Sequence, residues 1–206
     1  MDLIVTRQSL LGRLQQWEDD KSWREFFDTY WRIIYSAARK AGLNDMDAQE
    51  VVQETVLSVA KEMKADKYRP ELGSFKGWLK KITSRRIADQ FRKRPQARFE
   101  LPDPSKTTSG VAPIEKLPDP ASAEDVVDAN WEADWRQNLI DRALELVRNE
   151  VSPFQFQIFD LYVMRGQSAA EVAQALGVSR TQVFLAKHRI SALVSKTVRR
   201  LEKSVT

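Results

Sequence analysis

Cysteine is absent from this 206-residue chain and histidine occurs once. The first absence removes disulfides, thiolate metal centres and a cysteine nucleophile, and it suits a reducing compartment. The second leaves few routes to histidine-dependent catalysis. No apolar run approaches the ~18 residues that a bilayer span requires. The N-terminal stretch MDLIVTRQSLLGRL lacks the long apolar core and small-residue cleavage site of an export signal. A cytoplasmic protein with no membrane partner is therefore expected. Sustained alternation of apolar and polar residues, the mark of half-buried strands, is missing too.

What remains is a chain with 42% hydrophobic and 30% charged residues, enough of both for a soluble protein with a core. Its length allows two small domains. Six of the eight prolines fall within residues 95–125, where large apolar residues are few. Such a stretch neither sustains a helix nor builds a core, and it reads as a linker. Basic residues outnumber acidic ones on both sides of it, while the stretch from 95 to 130 is acidic. Two basic lobes that approach a polyanion, joined by a segment that does not, would produce that pattern.

Helix punctuation is clear on either side. Ser22/Glu25, Asp47/Glu50, Ser152/Gln155, Ser168/Glu171 and Ser179/Gln182 all carry the capping-box spacing. Gly42, Gly166 and Gly177 stand where helices should stop. The expected fold is all-α, with helices near 7–17, 22–41, 47–64, 74–93, 126–149, 153–165, 168–176 and 179–202.

The helix at 74–93 carries the most informative stretch, FKGWLKKITSRRIADQFRKR, with eight Lys or Arg and one Asp. At 100° per residue Phe75, Trp78, Leu79 and Ile82 form a core-facing arc, while Ile87 and Phe91 lie further round, so the two ends should pack on different neighbours. A core does not accept unpaired cations, and an ordinary solvated face mixes signs. The cations Lys81, Arg85, Arg86, Arg92, Lys93 and Arg94 are therefore candidates for phosphate neutralisation, beside planar groups on which unstacked bases can rest.

Phe75-Lys-Gly-Trp78-Leu79, Ile82 and Ile87-Ala-Asp89-Gln-Phe91-Arg-Lys-Arg94 resemble the end of the second conserved region of extracytoplasmic-function (ECF) sigma factors of the sigma-70 family. Asp47-Ala-Gln-Glu50-Val-Val-Gln53-Glu54-Thr-Val56 is similar to the preceding helix of that family, and Trp23 to Gly42 to its first. The resemblance implies that this lobe binds the clamp helices of core RNA polymerase and reads the minus-ten promoter element as opened single strand. It makes the six cations minus-ten DNA contacts. Where many family members carry Asn in a base-reading role, this chain has Arg85.

Asp45, Asp47, Glu50 and Glu54 lie within ten residues, and a carboxylate cluster can hold Mg²⁺ for phosphodiester cleavage. The set does not read as a catalytic or metal site, because Asp47 and Glu50 have the capping spacing and no His or Lys is placed to complete it. The resemblance instead assigns Glu50, Gln53 and Glu54 to contacts with basic groups on core RNA polymerase.

Residues 168–190 have the form of a helix-turn-helix: Val172, Ala173 and Leu176 inward, Gly177 at the turn, Val178 as a plug and Ser179 capping the second helix. Val183, Ala186, Ile190 and Val194 define that helix's inner arc. Ser179, Arg180, Thr181, Gln182, Leu185, His188 and Arg189 are the candidate DNA-reading residues. Together with Ser152 to Gly166 the motif resembles the fourth conserved region of sigma factors, which reads the duplex minus-thirty-five element. Many relatives carry Lys and Arg where this chain has Phe184 and Ala186.

The expectation is a sigma factor and not an enzyme. It would have a region 2-like helical domain at 1–94, a Pro-rich linker at 95–125 and a region 4-like helix-turn-helix domain at 126–206. Core RNA polymerase and promoter DNA are its expected partners, an anti-sigma factor is a candidate third, and no cofactor or metal is expected. The alternative is an operator-binding helix-turn-helix regulator that acts without polymerase and self-associates through its N-terminal domain.

Overall fold

Among the residues that the computed structural model describes, 10–16, 18–93 and 120–205 with the side chains of 120–124 excepted, every regular element is helical. In α2 (Asp20–Lys40) the residues Phe26, Tyr30, Ile33, Ile34, Ala37 and Ala38 recur at helical spacing, and all are buried. The sequence suggests Ser22 as the cap of this helix, but the structure gives that role to Asp19, whose carboxylate accepts the Ser22 backbone N–H at 3.1 Å. The Ser22 hydroxyl donates to the same carboxylate at 2.6 Å. An ionised acceptor binds the exposed N–H groups and the helix dipole better than a hydroxyl does, so the helix starts earlier.

In α3 (Asp45–Lys64) the cap also falls three residues before the expected one, here on a neutral side-chain amide. Asn44 is its cap, accepting the Asp47 N–H at 2.9 Å, and Asp47 lies inside the first turn. Glu50 is thereby released from the capping role its spacing suggests. Helix α1 is short (Leu10–Leu14), and residues 7–9 and 17 of the expected first helix lie outside the described residues. Helix α4 (Phe75–Lys93) follows a single 3₁₀ turn at Pro70–Leu72. Its arc rotates as the sequence implies, with Lys76 and Lys80 facing α5 (Pro120–Glu150) and Lys93 facing α3.

Helix α5 begins six residues before the expected start at 126, and the rest of the expected linker, 95–119, lies outside the described residues. Its buried residues Val127, Trp131, Trp135, Leu139, Ala143 and Val147 recur every fourth position. Four residues advance about 400°, so this stripe drifts about 40° at each step and winds around the helix. Its first part joins the core of α2, α3 and α4, where Trp135 stacks over Tyr30 with centroids 5.3 Å apart. Its end, at Val147, joins Phe159 and Ile190 in a second cluster.

The acidic outer face of α5 meets basic residues of the N-terminal helices: Glu132 with Lys76 at 2.7 Å, Asp128 with Lys80 at 3.0 Å and Asp134 with Lys40 at 2.6 Å. Buried Asn138 donates to the Thr29 carbonyl at 2.7 Å. By sequence α5 belongs with the C-terminal stretch; by packing it serves both cores.

The C-terminal elements are α6 (Pro153–Phe159), α7 (Ala169–Leu176) and α8 (Arg180–Lys203). The single helix expected over 153–165 changes to π geometry at Asp160–Met164, where the Arg165 N–H reaches the Asp160 carbonyl. Ser152, Ser168 and Ser179 cap their helices as their spacing predicts. Gly177 closes α7 at φ 65°, in the left-handed region that glycine enters without strain. Ile158, Val172, Val183 and Ala186 form the small core of this helix-turn-helix. The far end of α8 returns to the N-terminal helices, where Leu201 and Val205 are buried and the Ser204 carbonyl accepts the Leu10 N–H at 2.9 Å.

Candidate nucleic-acid interface

Three surfaces carry the candidate residues. The first lies between α2 and α3, a groove of about 1280 Å³ lined by Phe27, Trp31, Tyr35, Met46, Val56 and Leu57, with Glu50, Gln53 and Glu54 along it. Phe27, Trp31 and Tyr35 repeat every fourth residue along α2, Phe27 exposed and Trp31 and Tyr35 half-buried at the edge of the core. Phe27 and Trp31 stack at 6.3 Å. Met46 is 78% exposed. With Phe27, Met46 and Leu57 all exposed along it, the groove has the character of a docking surface. The helical reading of the acidic face alone does not reveal it; the aromatic repeat in α2 is its signal.

The carboxylates of α3 are dispersed, not gathered. Asp45 accepts from the Tyr35 hydroxyl and from Gln49, whereas Glu50 and Glu54 both receive Lys93 Nζ, at 2.9 and 2.7 Å. The ammonium holds the Glu50 carboxyl below its usual range, and the carboxylates of Glu54 and then Glu50 raise the pKa of Lys93. Among the described residues no group of three or more His, Cys, Asp or Glu side chains is arranged to hold a metal ion.

The second surface is the outer face of α4. Arg86 pairs with Asp89 at 2.9 Å, Arg92 pairs with the same carboxylate, and Lys93 is held by α3. Lys81 and Arg85 are exposed, and among the described residues neither has an ion pair. Arg94 lies outside the described residues. The six candidate cations thus differ in readiness for an incoming phosphate, with Lys81 and Arg85 foremost.

Lys81 also lines a cavity of about 340 Å³ with Lys67, Tyr68, Arg69, Ser74 and Trp78. The Tyr68 and Trp78 rings lie 5.0 Å apart at 53°. Gly73, at φ 152° where other residues are strained, turns the chain from the 3₁₀ turn into α4 beside this cavity. An aromatic pair beside Lys67 and Lys81, with Arg69 held by Asp66 at 2.9 Å, offers a stacking surface and phosphate neutralisation in one place. Helical periodicity does not mark Lys67, Tyr68 and Arg69. Their signal is compositional, an aromatic residue between two cations shortly before Trp78.

The third surface is the start of α8. Ser179 and Gln182 bind each other reciprocally: the Ser179 Oγ accepts the Gln182 N–H at 3.2 Å and the Gln182 Oε1 accepts the Ser179 N–H at 2.8 Å. These two side chains are engaged in capping. Arg180, Thr181, Leu185, His188 and Arg189 are exposed, and Val183, Ala186 and Ile190 are buried beneath them. Phe184 projects beside Leu185 and meets the Tyr162 ring edge-on at 5.8 Å, while Lys187 sits 5.6 Å over the same ring.

Residues 26–96, which include α2 from Phe26 onward, α3, the cavity and all of α4, match the family model of Sigma-70 region 2. The chain is also 26% identical over 168 residues to the ECF RNA polymerase sigma factor SigE of Mycolicibacterium smegmatis (strain ATCC 700084 / mc(2)155). The alignment covers 82% of this chain and 58% of that relative's length. The helical unit of α2 to α4 is a sigma-70 region 2 domain. The match over α2 to α4 and the likeness to that relative support a place among the ECF sigma factors of the sigma-70 family.

Proposed function

We propose that the chain binds core RNA polymerase and directs it to promoters, with labour divided among the three surfaces. The groove between α2 and α3 docks the polymerase, its apolar floor supplying area and Glu50, Gln53 and Glu54 supplying polar contacts at the rim. The cavity beside Trp78, with Lys81 and Arg85 leading out of it, receives unstacked bases of the minus-ten strand. Helix α8 enters the major groove of a duplex minus-thirty-five element through Arg180, Thr181, Leu185, His188 and Arg189. In this reading α1 to α4 and α6 to α8 carry the binding surfaces, and α5 with the segment before it joins them.

The observation that carries the proposal is the Tyr68–Trp78 pair amid Lys67, Arg69 and Lys81, next to a separate apolar groove with an acidic rim. One small unit thereby offers a nucleic-acid surface and a protein surface of opposite character. Run-off transcription with core polymerase on a pool of promoter fragments tests it. Discrete start sites that require the chain support the reading. Tight operator binding without core polymerase, and no transcripts with it, would replace it by a regulator.

A further inference from the structure

The outward side of α8's first two turns carries two large apolar residues next to each other, Leu185 at 63% exposure and Phe184 at 51%. They are not part of the helix-turn-helix core, which Val172, Val183, Ala186 and Ile158 already fill. Leu185 lies between two shallow depressions, one shared with Phe154, Gln182 and Arg189, the other with Thr181, Phe184 and His188. Arg180, Lys187 and Arg189 surround the pair, and α8 has no acidic residue before Glu202. The surface thus combines attraction for a polyanion with an apolar centre.

Duplex DNA presents one apolar group in its major groove, the C5-methyl of thymine. The hydrogen-bonding capacity at this end of α8 is reduced, because Ser179 and Gln182 are spent on each other. We propose that Leu185 and Phe184 read thymine methyl groups, so that the upstream element of this chain's promoters is specified at those steps by T·A pairs through apolar contact. This inference rests on the assignment of α8 as the duplex-reading helix. The cations favour DNA over an apolar protein groove as the occupant, and they supply affinity that is blind to sequence.

The test uses the full chain with core polymerase and duplexes randomised upstream of a fixed minus-ten element. In the selected duplexes each upstream thymine is then replaced by uracil, which keeps every hydrogen-bonding group and lacks the methyl. One buried methyl corresponds to about a fourfold change in affinity. Uracil is expected to weaken binding by that factor at one or two steps. Leu185→Ala and Phe184→Ala should each abolish the thymine-over-uracil preference at its own step, read as the ratio of the two affinities within each variant. Leu185 is exposed and outside the core, and far-UV circular dichroism of Phe184→Ala checks that loss of its edge contact with Tyr162 leaves the helices folded. Equal binding of thymine and uracil duplexes at every step overturns the inference, as does a preference that survives in the double variant. Loss of core polymerase affinity in Leu185→Ala without DNA would make the face a protein contact and overturn it too. A selection that yields no upstream preference removes the duplex-reading role of α8 along with this inference, and leaves polymerase docking through α2 and α3 standing.

Discussion

Replacing Trp135 by alanine asks whether α5 is held on the N-terminal helices in solution. Trp135 is 8% exposed; its ring stacks on Tyr30 at 5.3 Å and lies 6.3 Å from Phe75. A tryptophan that buries about 200 Å² contributes about 5 kcal/mol at 25 cal/mol per Å². The aromatic contacts add roughly 1 kcal/mol, and burial already present in the unfolded chain removes roughly 10–40% of the area term. A loss of about 4–5.5 kcal/mol is expected, at the upper end of large-to-small core substitutions. The partly exposed ion pairs across the same interface, such as Lys76–Glu132 and Lys80–Asp128, are each worth under about 1 kcal/mol and do not compensate. Urea unfolding followed by far-UV circular dichroism measures the change, with Trp135→Phe as the milder variant. A shift below about 1 kcal/mol with an unchanged denaturant slope would refute the packing of α5 on α2 and α4.

Serine at both Phe27 and Leu57 should weaken core polymerase binding at least tenfold and leave helical content intact, since both line the groove from the exposed side; unaltered affinity in a core titration would remove the docking assignment. Arg85→Ala should change which minus-ten sequences are opened, whereas Arg92→Ala should lower all of them alike, because Arg92 is already bound to Asp89 and Arg85 is free among the described residues. Opening of a randomised minus-ten library at two salt concentrations separates these outcomes, and unchanged preferences in Arg85→Ala would make it another phosphate contact. The Lys93 pair predicts a pH dependence of definite sign. Lys93 favours the ionised form of Glu50, so the folded-state pKa lies below the ordinary carboxylate value, and the pair's contribution is present above that value and lost as pH falls through the lowered one. The stability difference between wild type and Lys93→Ala should therefore shrink on acidification, and a difference that grows would contradict the pairing.

What the sequence discloses is what neighbours in sequence determine. The caps at Ser152, Ser168 and Ser179 are bonds between residues three apart, and the inward arc Val183, Ala186 and Ile190 follows from helical period alone. Two caps fall where the capping-box spacing does not point: Asp19 and Asn44 stand three residues nearer the chain's entry into their helices and accept the N–H groups of Ser22 and Asp47 themselves. The candidate surfaces show the complementary limit. Lys93 and Glu50 are 43 residues apart, and no local pattern says that a cation of the basic helix will be held by the acidic one. Tyr68 approaches Trp78 only because Gly73 turns the chain between them.

Helix α5 shows how a long-range arrangement can still be written locally. A repeat of seven with two apolar positions keeps its stripe on one side, but a repeat of four does not, because each step overshoots a full turn by about 40°. From Val127 to Val147 five such steps accumulate about 200°, so the first and last members of the stripe point to nearly opposite sides of the helix. A helix that packed against one neighbour would expose half of these residues, yet all six are buried. The pattern therefore requires apolar partners on two sides, which α2 and α4 supply at one end and Phe159 with Ile190 at the other. The partners are not named by the repeat, but their number is, and the drift explains why α5 couples the region 2 core to the helix-turn-helix.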